Sequence, residues 1–225
     1  MTISIPTPSR RQFIQTGSAL ALTGLLGACA SGVSAEKSAT ELTSAAASMY
    51  GPLPNEQFPI PAIDPKKIDP QYYRQEVRYK TDEQPGTVVV DTTKFFLYLV
   101  QPDGRALRYG VGLGRAGFAW SGRALIQWKR KWPTWTPPAD MIARQPELEK
   151  YSYENGGMQP GLNNPLGARA LYIFKDGKDT LYRLHGTPEY WSIGKAVSSG
   201  CVRLFNHDII DLYQRVPNKT PILVI

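Results

Sequence analysis

Short β-rich segments separated by turn residues fill the chain from about residue 86 to its C-terminal end. They are rich in Val, Leu, Ile and aromatic residues, which favour strands, and turn-forming residues separate them. Pro102-Asp103-Gly104 and Asp176-Gly177 are strong turn signals between neighbouring segments. The predicted strands cover residues 87–91, 94–100, 105–112, 124–131, 170–174, 180–184 and 221–225. This spacing predicts a mainly β domain.

Two further segments are predicted to be helical. Residues 139–151 follow a proline pair, and proline is tolerated in the first turn of a helix. Asn206 is a favourable N-cap for a helix whose apolar positions include Ile209, Ile210 and Leu212. The domain is therefore expected to carry one or two short helices.

The N-terminal residues have the layout of an export signal. Arg10 and Arg11 precede an uncharged run over residues 16–28, which is too short to anchor stably across a bilayer. The pair, with Ser9 before it and Phe13 after it, resembles the twin-arginine signal. The alternative is a basic, disordered N-terminus. We expect residues 1–29 to be a signal peptide and the protein to reach the periplasm or cell envelope.

Cys29 ends the apolar run in the sequence Leu-Gly-Ala-Cys, which resembles a bacterial lipobox. Its lipidation would anchor the chain to a membrane. Neither Ala30 nor Ser31 is the Asp that resembles an inner-membrane retention signal, so a lipidated chain would be expected at the outer membrane. A rival cleavage pattern, Ala28-Cys29-Ala30, would instead remove this cysteine. Since the chain has two cysteines, lipidation or removal of Cys29 would leave Cys201 without a second thiol for a disulfide.

The region between the signal and the β-rich domain is predicted to be a tether and an N-terminal extension, residues 30–84. Residues 30–48 are small and polar and cannot bury enough apolar area to fold alone. Prolines recur between residues 50 and 70, which favours an extended spacer lying against the domain. Residues 71–79 are predicted to be a short helix or a strand. The domain itself is expected to occupy residues 85–225.

The charge of the chain suggests an anionic partner. Its formal net charge is +7, and removal of Arg10 and Arg11 with the signal leaves +5. Outside the cytoplasm this suits wall polymers or membrane surfaces, whereas the alternation of basic and aromatic residues typical of single-strand nucleic-acid binding is missing from the sequence. Plain solubility explains the charge equally well.

His185 and Cys201 are the candidate catalytic pair. A thiol becomes a nucleophile as the thiolate, and an imidazole within hydrogen-bond reach can take its proton. Ser198, Ser199 and Gly200 precede the cysteine, and such small residues permit a tight turn whose backbone N–H groups form an oxyanion hole. The alternative for Cys201 is a buried, inert structural cysteine.

The stretch from His185 to Ser198-Ser199-Gly200-Cys201-Val202-Arg203 resembles the L,D-transpeptidase family, also called the YkuD or ErfK/YbiS/YcfS/YnhG family. The segments at 135–138, 156–157 and 164–167 are also similar to this family. Many members carry a second histidine where this chain has Ser199, and Asn where it has Arg203. We interpret these differences as a subclass. The resemblance covers residues 86–225 and implies a β-sandwich or barrel-like domain.

The resemblance implies that Cys201 attacks the third-residue carbonyl of a peptidoglycan tetrapeptide stem, releases D-alanine and forms a thioester, with His185 as the base. It also implies a part in cell-wall organisation and cell shape. Backbone N–H groups around Ser199 and Gly200 would stabilise the intermediate. Arg203 would bind a stem carboxylate or hold its loop to the domain.

Further substrate-binding candidates are Ser198, Gly186 and Trp135. Gly186 would let the chain pass close to the imidazole, although a plain turn also explains it. Trp132 and Trp135 are candidates for lining a substrate groove, and core packing is the alternative for both. His207 is expected at the surface.

Other functions remain open from the sequence. The same site could use water as acceptor and hydrolyse a wall peptide, or the chain could be a non-catalytic wall-binding lipoprotein. Two other classes of cysteine enzyme fit less well, because a papain-like enzyme places Cys before His and a sortase separates the two residues more widely than this chain does. The amine acceptor would be a second stem or an outer-membrane protein. No metal is expected, because two histidines and one usable cysteine lack zinc-ligand spacing. No cofactor or nucleic-acid partner is expected either.

Overall fold

The computed structural model describes residues 44–114, 121–198 and 200–225, and the side chain of Ser198 is not described. The predicted signal peptide, Cys29 and residues 30–43 of the predicted tether therefore lie outside the described residues. Among the residues that are described, no helix is long and apolar enough to cross a membrane.

A nine-stranded mixed sheet forms the body of the domain. Its spatial order is β1-β4-β3-β2-β11-β6-β7-β8-β10, and β5 and β9 form a separate two-stranded ribbon. The strands are β1 Gln75–Arg78, β2 Val88–Asp91, β3 Phe96–Gln101, β4 Arg105–Gly110, β5 Leu113–Gly114, β6 Gly122–Lys131, β7 Arg169–Lys175, β8 Lys178–Thr187, β9 Ala196–Ser198, β10 Val202–Phe205 and β11 Thr220–Val224. The helices are α1, residues 44–49, α2 Ala139–Arg144 and α3 Asn206–Arg215.

The sheet curls so that its two ends meet. Gly112, just after β4, exchanges backbone hydrogen bonds of 2.8 and 2.9 Å with Arg203 of the edge strand β10. The enclosed face is apolar, and α3 packs onto it through Ile209 and Leu212, which contact the cluster containing Leu171, Leu184 and Leu204. The predicted mainly β, barrel-like fold with short helices is confirmed.

Local turn chemistry explains two of the connections. Asp176 and Gly177 join β7 to β8 with φ values of 50° and 74°, as the predicted hairpin requires. The predicted helix over residues 139–151 is instead α2 followed by a 3-10 helix, Pro146–Tyr151. Pro146 disfavours the α conformation at the residue before it, so α2 ends at Arg144.

The proline-rich segment lies against the domain. Tyr50 is fully buried in a cluster with Tyr73 and Phe205, and its ring lies 5.4 Å from that of Phe205. The segment predicted to be either helix or strand contains both, the 3-10 helix Pro70–Tyr72 and then β1, which pairs with β4. Residues 44–78 are thus integrated with the sheet by packing and by strand pairing.

Two predictions about the start of α3 are wrong. Asn206 is the first helical residue rather than the cap, and its Oδ1 accepts a hydrogen bond from the backbone N–H of Ala168 at 2.9 Å instead of capping the helix. His207 is buried rather than exposed, and its Nε2 donates to the carbonyl of Gly51 at 2.7 Å. Both side chains are used to hold neighbouring segments against the helix.

Candidate active site

The parallel pairing of β8 with β10 brings the two candidate catalytic residues together. His185 lies opposite Arg203 in this register, and Val202 lies opposite Leu184. Cys201 directly precedes Val202, so it lies at the level of Arg183 and diagonally across from His185. Because Leu184 and Val202 enter the buried core, the alternate residues His185 and Cys201 project from the opposite face of the sheet.

His185 is held as a neutral imidazole. Its side chain is buried, and Nδ1 lies 2.6 Å from the carbonyl oxygen of Gly186. A carbonyl can only accept, so Nδ1 carries the proton and Nε2 is left as the basic nitrogen. Burial, with smaller contributions from the charges of Arg203 and Arg183, lowers the pKa of His185 to about 4, although the bond to Gly186 acts to raise it. The ring is therefore in its base form at neutral pH.

Cys201 is a partly buried thiol. Burial raises its pKa, while a hydrogen bond from the backbone of Arg183 and the charges of Arg183 and Arg203 act to lower it. With the pKa of the thiol raised and that of the imidazole lowered, the pair rests as thiol and neutral imidazole. For such a pair to attack a carbonyl, the thiol proton must pass to the imidazole during the attack.

A close backbone contact fixes the turn before Cys201. Gly200 has a φ of 140°, a conformation that favours glycine. Gly114 lies so near it that a Cβ on Gly114 would be 2.6 Å from the nitrogen and Cα of Gly200. Ser198 pairs with Gly114 through β9 and β5, whereas Ser199 lies outside the described residues.

Gly114 was not among the predicted site residues, although the sequence contains a signal for its role. Gly110, Gly112 and Gly114 alternate, and in a strand such residues share one face. A Cβ on each would collide with Tyr72, Ser192 and Gly200 respectively. The alternating glycines therefore mark a line along which other backbone segments pass at close range.

Arg203 is held within the domain by Glu189. Its Nη1 lies 2.6 Å from Oε2 of Glu189, in the loop that follows β8. This contact supports the interpretation that Arg203 holds a loop, and the binding of a substrate carboxylate stays a prediction. Gly186 faces α3, where a Cβ would lie 2.2 Å from Oδ1 of Asn206, so packing accounts for the glycine and a substrate role stays a prediction.

The two candidate tryptophans differ in their environment. Trp132 is buried, its ring packs edge-on against Phe58, and its Nε1 donates to Glu56 at 3.0 Å. For Trp132 the structure supports the core-packing alternative over a groove-lining role. Trp135 is half-buried and exchanges backbone hydrogen bonds with Met158 in the long β6–β7 connection, and its substrate role stays a prediction.

Within the part of the chain that the structure describes, no three or more His, Cys, Asp or Glu side chains lie together so that they could hold a metal ion.

Comparison with known proteins gives a consistent result. The family model for the L,D-transpeptidase catalytic domain, YkuD, matches residues 85–224. The chain is 32% identical over 143 residues to the probable L,D-transpeptidase ErfK/SrfK of Escherichia coli K12, and 38% identical over 115 residues to the probable L,D-transpeptidase YbiS of the same strain. These alignments cover 61% and 49% of this chain but 43% and 34% of the relatives. The chain thus spans less than half the length of these curated relatives.

Solved structures also resemble the chain. One, described as a probable carnitine operon oxidoreductase caia from Brucella melitensis, is 44% identical with a TM-score of 0.49 and covers 68% of this chain and 94% of that one. An L,D-transpeptidase from Mycobacterium smegmatis is 19% identical with a TM-score of 0.44 and covers 62% of this chain and 58% of that one. The family-model match, over residues 85–224, covers more than half of the chain.

Proposed function

This chain belongs to the YkuD family of L,D-transpeptidase catalytic domains, and on that premise we propose that it is a cysteine acyltransferase acting on peptidoglycan stem peptides. Cys201 is the nucleophile and His185 the general base. The observation that carries the proposal is the placement of a neutral, buried imidazole diagonally across from a thiol on the adjacent strand.

The first half-reaction forms a thioester. Nε2 of His185 takes the proton of the Cys201 thiol as sulfur attacks the carbonyl carbon of the third stem residue. The oxygen of the tetrahedral intermediate accepts hydrogen bonds from backbone N–H groups of the Gly200 turn. The C–N bond to the terminal D-alanine then breaks, and His185 returns the proton to the departing amine.

The second half-reaction transfers the stem to an acceptor. His185 takes a proton from an incoming amine, the amine attacks the thioester, and the Cys201 thiolate leaves and is reprotonated. An amine of a second stem gives a cross-link, an amine of an outer-membrane protein gives an anchored protein, and water gives hydrolysis. Exclusion of water from the thioester decides between transfer and hydrolysis.

The proposal extends to the location of the protein. The twin-arginine-like residues 1–29 support export to the periplasm, and the lipobox-like sequence ending at Cys29 supports a lipid anchor. A basic mature chain suits the anionic cell wall. These features agree with a substrate that is found outside the cytoplasm.

A product assay tests the function. The chain from Ala30 onward is incubated with purified disaccharide-tetrapeptide, and the products are followed by mass spectrometry beside a Cys201→Ala variant. We expect loss of D-alanine together with a dimeric product in the parent protein, and neither in the variant. Loss of D-alanine without a dimer indicates hydrolysis, or a protein acceptor missing from the assay. If the parent protein and the Cys201→Ala variant gave the same products, an enzymatic role would be contradicted.

The contact between Gly114 and Gly200 yields a further prediction. In Gly114→Ala the new Cβ meets backbone atoms that cannot rotate away, so the turn before Cys201 must shift. We expect kcat/KM to fall on the order of 10- to 100-fold, since misplacement by about 1 Å has effects of this size. Steady-state kinetics with the tetrapeptide measure the effect.

Gly161→Ala is the matched control, because nothing lies within 4 Å of the Cβ position at Gly161 and its φ is not positive. Its activity should be close to that of the parent protein. Equal activities for the two variants would show that the Gly114 contact does not position the nucleophile.

A further inference from the structure

A row of side chains runs across the outer face of the sheet and ends at the nucleophile. Trp128 of β6 pairs with Tyr172 of β7, which pairs with Arg183 of β8, and Cys201 lies at the level of Arg183 on the next strand. We call these four residues the Trp128 row. Its aromatic rings stack in parallel, with centroids 3.6 Å apart and an interplanar angle of 11°. The guanidinium of Arg183 lies over the Tyr172 ring at 4.3 Å.

Arg183 is held in this position from several sides. Its two terminal nitrogens lie 2.6 and 2.8 Å from the carboxylate oxygens of Asp179, and Nη1 also donates to the carbonyl of Tyr182 at 2.9 Å. Its side chain is 13% exposed. A planar guanidinium that is stacked on a ring and bonded through both terminal nitrogens has little freedom to move. The stack therefore fixes a positive charge on the strand next to Cys201.

The two arginines near Cys201 act mainly on different catalytic side chains. Arg183 and His185 face it from β8 and Arg203 faces it from β10, with Asp179 and Glu189 as the counter-ions of the two arginines. Arg183 has the larger influence on the thiol, which its backbone also contacts, and Arg203 has the larger influence on the imidazole. The two cations are thus not equivalent.

We propose that the Trp128 row is an electrostatic positioning device, in which Trp128, Tyr172 and Asp179 hold the Arg183 guanidinium beside Cys201 so that it stabilises the thiolate during attack. Arg183 acts through Cys201 and does not exchange protons. The inference rests on the proposed role of Cys201 as the nucleophile. It explains why an aromatic stack, covered on the Tyr172 side by a guanidinium, lies on the open face of the sheet next to the catalytic pair.

The test measures thiolate formation without any substrate. In the full chain, alkylation of Cys201 by iodoacetamide is followed against pH by mass spectrometry of the peptide that contains it. Arg183→Met should move the midpoint up by about one pH unit, which lowers the rate at neutral pH roughly tenfold. Arg183→Lys keeps the charge and should restore at least half of the shift. Asp179→Asn removes the counter-ion and should move the midpoint down.

Arg130→Met is the matched control. Arg130 lies at the other end of the row, over the Trp128 ring at 5.7 Å, and its loss should leave the midpoint in place. An unchanged midpoint in Arg183→Met, or equal shifts in the two Met variants, would overturn the proposal. So would shifts of the same sign in Arg183→Met and Asp179→Asn, both folded as judged by circular dichroism.

The alkylation experiment and the transpeptidase assay can fail independently of each other. A shifted alkylation midpoint in a protein that leaves tetrapeptide unchanged would retain the electrostatic role and reject the transpeptidase. Normal transpeptidation with no shift in Arg183→Met would reject the electrostatic role alone. A raised KM with an unchanged kcat and midpoint would assign Arg183 to substrate binding and thus also contradict the inference.

Discussion

Replacement of His185 by Asn is expected to lower the rate of thioester formation by about 10²- to 10⁴-fold, the usual contribution of a positioned general base. Asn keeps an N–H donor near the position of Nδ1 and can still bind the Gly186 carbonyl, but it has no basic nitrogen. The loss should therefore appear in kcat rather than in stem binding. Single-turnover release of D-alanine, measured by mass spectrometry, reports the step directly.

The pH profile of the parent enzyme tests the same assignment independently. Since the pKa of His185 is lowered to about 4, the base stays deprotonated through pH 5–8, and activity should fall only as pH drops toward 4. The raised pKa of Cys201 places the alkaline limb above the usual range of a thiol. An acid limb near pH 6.5 would contradict a buried, neutral His185. His185→Asn should remove the acid limb and retain the thermal unfolding profile.

The sequence was sufficient for the parts of the site that follow one another along the chain. His185, Gly200 and Cys201 were identified from residue chemistry, spacing and family resemblance. The Trp128 row could not be predicted in this way. Its members come from three strands and the loop before a fourth, and which residues face each other depends on register and on a bulge between Ile126 and Trp128 in β6.

The fold was predictable to a similar degree. Strands such as β3 and β7 were predicted, because residues that favour strands and the turn residues that flank them specify such segments locally. The short strands β5, β9 and β10 were not predicted, since each has four residues or fewer and exists through pairing with distant segments. His207 was misplaced because its burial depends on residues 44–73, more than a hundred positions earlier.

The largest effect on stability is expected at Arg74, which joins the N-terminal extension to α3. Its Nη1 lies 3.7 Å from Oδ1 of Asp208 and 3.0 Å from Oδ1 of Asp211, and the Asp208 side chain is fully buried. Arg74→Met leaves a buried carboxylate without its cation, which typically costs about 3–5 kcal/mol. Denaturant-induced unfolding of the parent protein and the variant measures this difference in the free energy of unfolding.

The pH dependence of this effect identifies Asp208 as its source. Burial raises the pKa of Asp208 to about 7, above its ordinary value, while Arg74 lowers it. A group whose folded pKa is raised contributes stability that is present below its unfolded pKa and lost as pH rises through the folded pKa. Without Arg74 the folded pKa rises further, so the deficit of Arg74→Met should be larger at pH 8 than at pH 5. Below the folded pKa both proteins carry a protonated Asp208, whereas at pH 8 only the parent protein retains a cation for the carboxylate.

Two further variants separate this network from a general effect of removing an arginine. Arg78→Met, on the exposed part of β1, should leave the free energy of unfolding nearly unchanged. Adding Asp208→Asn to Arg74→Met should restore most of the stability lost at pH 8, since Asn carries no charge and can still accept from the Tyr50 hydroxyl that now contacts Asp208 at 3.3 Å. Equal deficits at pH 5 and pH 8, with no restoration in the double variant, would assign the loss to packing of the Arg74 side chain instead of to the buried carboxylate.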